Sequence, residues 1–280
     1  MLTRTRLRVS ASLLAAAVAF LSSPHSLSAA DSSLPAAWYR GIVHAHANWG
    51  VPQLPTTAPD VVVRWYREHN YNFVSAHPNL TYALTAADLL ASDKTAEPRF
   101  FEVWNTEPGM NNLGGGGKPS TEQIWDAVLS TGRVMFGTAV DDSHHFYEFV
   151  ASRETRTPLS NPGRAWIMVR AQELSVPALI AAMNRGDFYA STGVTIESYD
   201  VTTTGIRIRL NDSTHDLGWS LPGANPQLYR TEFIGKDGKV VKVDESVTPS
   251  YDFTGKELYV RARITSSDAQ MAWTQPVFPK

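Results

Sequence analysis

The chain contains no cysteine, and that absence removes two architectures at once. Disulfide-stapled folds and thiolate zinc sites are excluded, so any metal must sit on imidazole, carboxylate and water. Excess charge is missing too. A formal net charge of −2 over 280 residues gives no electrostatic reason to expect nucleic acid or an anionic membrane as a partner. No internal repeat is evident, and the main apolar run, residues 13–21, is too short to span a bilayer comfortably. That run follows Arg4, Arg6 and Arg8 and precedes Ser28-Ala29-Ala30, the order of an export signal cleaved before Asp31. Residues 1–30 are therefore set apart from the fold. The mature chain is expected to be exported, to a bacterial periplasm or beyond, with no membrane contact after cleavage. With 43% hydrophobic and 19% charged residues, the chain has the balance of a globular protein with room for one large domain or two small ones.

What is present is histidine at strand ends. Tyr39-Arg40-Gly41-Ile42-Val43 runs into His44-Ala45-His46. Residues i and i+2 of a strand share a face, so the pair aims two imidazoles at one point. Neutral imidazole is the commonest nitrogen ligand for a transition metal. A second apolar run, Val134-Met135-Phe136-Gly137-Thr138-Ala139-Val140, ends in Asp141-Asp142-Ser143-His144-His145. Two such clusters predict a metal centre assembled from separate strand ends, with His44, His46 and Asp142 converging at the C-terminal edge of a parallel sheet.

The intervening sequence reads as alternating strand and helix. A strand over 39–43 leads to a helix opened by Thr57-Ala58-Pro59-Asp60 and ended by Asn70, then to a strand over 71–75 and to His77 just beyond it. A helical turn capped by Thr85, a strand over 99–105, a helix with a Ser120/Gln123 capping box, and the strand over 134–140 follow. Gly114-Gly115-Gly116-Gly117 lacks the Gly-Lys-Ser/Thr order of a phosphate loop and reads as a flexible connection. A strand over 166–170 and a helix over 175–185, with Val176, Leu179, Ile180 and Met183 inward and Gly186 at its C-cap, complete this part. From about 196 the pattern becomes short alternating strands, with a hairpin turn at Lys236-Asp237-Gly238-Lys239. The expected organisation is a signal over 1–30, an α/β domain over 31–195, and a C-terminal β-sandwich-like module over 196–280.

Residues 40–200 resemble the PHP (polymerase and histidinol phosphatase) superfamily of metal-dependent phosphoesterases. The likeness rests on Gly41-Ile42-Val43-His44-Ala45-His46, on 64–74, on His77-Pro78-Asn79, on Phe101-Glu102-Val103-Trp104-Asn105 and on Ala139-Val140-Asp141-Asp142-Ser143-His144. It implies a distorted (β/α) barrel with up to three divalent metals (zinc, manganese or iron) at the strands' C-terminal ends. Carried over, His44, His46 and Asp142 would form one site, while His77 and His144 would be left over from the other two; Asp142 and His144 would be catalytic. The departures are specific. Ala47-Asn48-Trp49-Gly50 lacks the Asp that the first motif usually supplies, and the resemblance implies a deletion near Ser75/Ala76 that removes a bridging Glu and a further His. The barrel is therefore expected to be incomplete, with self-association as one consequence.

Several polar residues stay open between roles. Asp141 either orients a ligand imidazole or is solvated, and His145 points away from its neighbours. Glu102 and Asn105 either face the site or bond a loop; Arg170 and Ser191-Thr192-Gly193 either contact phosphate or form a structural turn. His69 and His215 are expected to be ordinary. The leading expectation is an exported phosphoesterase using metal-activated water on a small-molecule phosphoester, with activity reduced by the missing ligands. The alternatives are a non-catalytic metal- or ligand-binding descendant and a β-rich interaction module.

Overall fold

A computed structural model describes residues 36–44, 74–91, 98–143, 162–211 and 227–279. Thirteen strands and three α-helices make up the described residues, a mixed but strand-dominated fold. Parallel pairing, on which a (β/α) barrel depends, is confined among the described residues to one three-stranded sheet. This is β2 (Val74–Ser75), β3 (Phe100–Asn105) and β4 (Phe136–Val140), in that order. β3 and β4 are buried along nearly their whole length, the pattern of strands covered on both faces. Helix α1 (Ala86–Ala91) and helix α2 (Thr121–Leu129) pack against it.

The first strand does not join that sheet. β1 (Ala37–Gly41) pairs antiparallel with β5 (Trp166–Ala171), Tyr39 opposite Val169, so the expected β-α-β start of a parallel sheet is corrected here. The reason lies in β5. Its residues alternate between half-buried and buried, the period of a strand with one covered face, which suits antiparallel neighbours. β6 (Phe188–Ser191) lies on the other side of β5, and helix α3 (Val176–Arg185) links the two. Gly186 caps α3 as the sequence predicts and Ser175 is its N-cap, but Val176 is exposed; Leu179 and Met183 pack beside buried Ala182.

The C-terminal strands extend this antiparallel sheet. β7 (Ile196–Val201), β8 (Gly205–Leu210) and β11 (Ser250–Asp252) form a separate three-stranded sheet. β9 (Tyr229–Gly235), β10 (Lys239–Asp244), β12 (Arg261–Ser266) and β13 (Met271–Thr274) continue the other, in the order β1-β5-β6-β13-β12-β9-β10. Ile206, Ile208, Tyr251, Phe233, Ile264 and Ala272, drawn from both sheets, share one apolar cluster. The hydrogen-bonded sheet crosses the expected boundary at 195/196, because β6 pairs with β13, Ala190 opposite Trp273.

A chain of contacts through α2 ties the parallel sheet to the antiparallel one. Arg261 on β12 is fully buried, donates to both carboxylate oxygens of Asp126 (2.8 and 2.7 Å) and to Glu122 (2.8 Å), and lies over the Trp125 ring. Trp125 in turn rests on Gly137 of β4, where an added Cβ would come within 2.7 Å of the ring. The glycine tract expected as a flexible connection is a tight turn. Gly115 and Lys118 exchange backbone hydrogen bonds (3.0 Å each), and a Cβ on Gly114 would strike the backbone of Lys118, Pro119 and Ser120 at 2.6 Å. The turn delivers Ser120 to the N-cap of α2, where the expected capping box forms. Among the described residues no helix is long and apolar enough to cross a membrane.

Candidate metal centre

Parallel order places the C-terminal ends of β2, β3 and β4 on one side, where ligands gather in α/β sheets. His77 follows β2, Glu102 and Asn105 lie on β3, and Asp142 follows β4. His44 reaches the same place from beyond β1. The Nε2 of His44 is 3.2 Å from Asp142 Oδ1, and the Nε2 of His77 is 3.3 Å from Asp142 Oδ2. The two imidazole rings are tilted, 4.7 Å between centroids.

A strand bulge explains why β3 contributes two residues. In a regular strand Glu102 and Asn105, three apart, would point to opposite faces. The register with β4 shifts between Glu102 and Trp104, and the extra residue turns both side chains to the same side. The Asn105 amide then donates to Glu102 Oε2 (3.0 Å) and Asp142 Oδ2 (3.1 Å). Thr121 of α2 donates to the carbonyl of Val103 inside the bulge (2.6 Å) and holds it.

Glu102 is fully buried and organises both histidines. Its Oε1 lies 2.6 Å from His44 Nδ1, and its Oε2 accepts from the His77 backbone N–H (2.7 Å). A carboxylate on Nδ1 fixes the imidazole so that the lone pair of Nε2 faces Asp142. A lone pair facing a carboxylate is repulsive unless a cation lies between them. Either a proton or a metal meets that need. Burial lowers the pKa of His44, but the Glu102 hydrogen bond and the charges of Glu102, Asp142 and Asp141 prevail, and the net shift is upward. Burial raises the pKa of Asp142, but hydrogen bonds from His77 and Asn105 and the charges of both histidines hold it well below the usual carboxylate range.

The donor set fits a divalent metal. His44, His77 and Asp142 each offer one ligand atom, all within 4.8 Å of one another. Two ligands at about 2.1 Å from a common ion lie roughly 3.0–3.4 Å apart, close to the nitrogen–oxygen separations found here. Two nitrogens and a carboxylate suit zinc, iron or manganese. The backbone is strained at two of the three, with φ of 36° at His77 and 49° at Asp142, conformations uncommon for residues with a Cβ and concentrated at functional sites.

His77, expected from the resemblance to be left over from another site, lies with its ligand atom within 4.8 Å of those of His44 and Asp142. His46, His144 and His145 lie outside the described residues, as do His69, His215 and the helix expected after Thr57. Asp141 is buried, not solvated, and its Oδ2 accepts from Gly163 N–H (2.7 Å). Arg170 donates to the Tyr199 carbonyl (2.8 Å) and lies near Asp187 and Asp200. Ser191-Thr192-Gly193 is a structural turn, closed by Ser191 bonding the Val194 carbonyl and the Gly193 N–H.

No protein-family model matches the chain, and no curated protein matches it. A solved structure from Bacteroides vulgatus, a two-domain protein containing a predicted PHP-like metal-dependent phosphoesterase, aligns over 77% of this chain with 12% identity and a TM-score of 0.33. The alignment spans 64% of that protein's length.

Proposed function

We propose that the protein is a metal-dependent phosphoesterase that holds a divalent cation between His44, His77 and Asp142. The observation that carries this reading is the buried Glu102 carboxylate on His44 Nδ1, which leaves Nε2 facing Asp142 across a gap of ligand dimensions. A cation bound there supplies Lewis acidity toward a phosphoryl oxygen and toward water. The chain's own residues do the rest. Glu102 orients His44 and, through the backbone N–H, His77. Asn105 holds the Asp142 carboxylate so that its two oxygens serve the two histidines. His46 and His144, from the same two sequence clusters, complete the proposed ligand and catalytic set. Export directed by residues 1–30 belongs to the same proposal.

Metal analysis of the purified mature protein, with turnover of bis(4-nitrophenyl) phosphate, tests it. Wild type should retain at least about one equivalent of zinc, manganese or iron and hydrolyse the diester only when loaded. His44→Ala and Asp142→Ala should each lose metal by at least about tenfold in affinity and lose turnover with it. Metal retention without turnover leaves a binding protein in place of an enzyme. No metal bound at micromolar free concentration ends the reading.

A further inference from the structure

The described fold leaves one kind of cation without partners. Every described arginine meets a carboxylate, a carbonyl or an aromatic ring. Of the five described lysines, only Lys242 is engaged through its ammonium, with Asp244 (3.1 Å) and the Ser250 carbonyl (2.6 Å). Lys236, Lys239 and Lys256 are exposed and form no ion pair among the described residues. Solvated lysines that guard a sheet edge need no common focus. These three have one. Lys236 from the hairpin turn, Lys239 from the start of β10 and Lys256 from the connection between β11 and β12 line a single groove of about 600 Å³. Val241 and Leu258 line it too and are 46% and 36% exposed, so the groove offers open apolar surface beside its cations.

Two carboxylates share the groove, and neither neutralises a lysine. Glu257 is committed to its own turn. Its Oε1 accepts from the Thr254 N–H (2.9 Å), the Thr254 hydroxyl (2.6 Å) and the Tyr251 hydroxyl (2.7 Å), and its Oε2 from the Lys256 N–H (3.2 Å). Burial works against ionisation of Glu257, but the bonds from Thr254 and Tyr251 prevail and hold its pKa at about 2. Asp237 lies exposed in the hairpin turn and joins no ion pair among the described residues. All the lining residues belong to the described segments, and none is a candidate metal ligand.

We infer that this groove is a second binding site, for a small molecule that carries two acidic groups on an apolar body. A single anion on one exposed ammonium gains little in water. Two anionic groups on one molecule engage separate lysines, the second at high effective concentration, and the body that joins them covers apolar surface. Lysine suits this role, because a point charge on a flexible stem accepts phosphate, sulfate or carboxylate without the bidentate match that arginine favours. The volume is within the range of small-molecule sites. The inference is independent of the phosphoesterase reading.

Fluorescence titration of the purified protein with naphthalene-1,5-disulfonate tests this, since the probe carries two fixed charges on a planar apolar body. Wild type should bind it with a dissociation constant below about 1 mM at low salt. Lys239→Ala and Lys256→Ala should each weaken binding about 2- to 5-fold, and the triple alanine variant of Lys236, Lys239 and Lys256 by about tenfold or more. Lys256→Arg should stay within about twofold of wild type. Lys118→Ala, which removes a lysine outside the groove, should change nothing. Added salt should weaken binding to wild type and have little effect on the triple variant. Naphthalene-1-sulfonate and sulfate should each bind more weakly than the disulfonate. All three lysines are exposed, so the variants should keep the melting temperature of wild type. A wild-type constant above about 1 mM, or a triple variant within about twofold of wild type, overturns the inference. An equal loss in Lys118→Ala overturns it as well, by reducing the binding to diffuse attraction. Sulfate binding as tightly as the disulfonate overturns the assignment of a ligand with an apolar body.

Discussion

Glu102→Gln is the most informative single change in this protein. The glutamine is nearly isosteric, so packing around the fully buried side chain is preserved and only the hydrogen-bonding pattern changes. The carboxylate meets donors at both ends. Oε2 accepts from His77 N–H (2.7 Å) and Asn105 Nδ2 (3.0 Å), and Oε1 meets His44 Nδ1 at 2.6 Å. An amide has one oxygen, so its NH2 must face a donor at one end. If the oxygen stays with His77 and Asn105, His44 escapes the clash by carrying its proton on Nε2, and that nitrogen can no longer ligate. If the oxygen turns to His44, two donors are left facing an NH2. Either outcome removes charge-assisted bonds worth about 1.5–3 kcal/mol each. Loss of such an orienting carboxylate costs about 10- to 100-fold in metal affinity. Competition against a chromophoric chelator would measure this directly, with circular dichroism to establish that the variant is folded. A folded Glu102→Gln protein whose metal affinity stays within about twofold of wild type would refute the orienting role and, with it, the tautomer argument.

Two further outcomes concern the frame around the site. Arg261→Ala removes a buried cation from Asp126 and Glu122, and breaking a buried pair on one side costs about 3–5 kcal/mol. Tyr259 and Arg263 keep one bond each to those carboxylates, placing the effect toward the lower end; chemical denaturation with a loss under about 1 kcal/mol would contradict this account. Glu122 gives a pH dependence. Burial raises its pKa, but Arg261 and Arg263 outweigh burial and depress it below 4.5. Its contribution is therefore fully present above the unfolded value and is lost as pH falls through the depressed folded one. Thermal melts across the acid range should show this decline, and Glu122→Gln should flatten it; equal slopes in the two proteins would exclude Glu122 as the source.

Local signals in the sequence translated well. The Ser120 capping box, the Gly186 C-cap with φ of 80° and the hairpin turn at Lys236–Gly238 are each decided within a few residues, and all appear. The apolar runs that become β3 and β4 were legible as buried strands for the same reason. Pairing partners were less legible. β1 pairs with β5 across about 130 residues of chain, and a histidine pair at a strand end is equally compatible with either kind of sheet. The alternating burial of Trp166–Ala171 held the clue to antiparallel neighbours. Glu102 and Asn105 could not be assigned from spacing, because three residues apart on a strand means opposite faces unless a bulge intervenes. Nothing local in Phe101-Glu102-Val103-Trp104-Asn105 announces the bulge. It is fixed by its register with β4 and by Thr121 bonding Val103 from the next helix.

The same bulge connects the frame to the chemistry. His77 and Asp142 sit in left-handed backbone, a cost of about 1–3 kcal/mol each that local structure alone does not offset. The restraining contacts come from elsewhere in the chain. Glu102 pins the His77 N–H, and Asn79, two residues on, bonds the carbonyls of Asn111 and Pro119 beside the glycine turn (2.8 and 3.0 Å). Asp141 bonds Gly163 just before β5 and steadies the backbone next to Asp142. Each strained residue is thus clamped by a neighbour that belongs to another segment. Two buried carboxylates, Glu102 and Asp142, are held close together by these clamps, an arrangement that is costly without positive charge between the side chains. Positive charge from the proposed divalent cation, set between the two histidines and Asp142, would offset that cost, which is what ties the clamps to the proposed metal site.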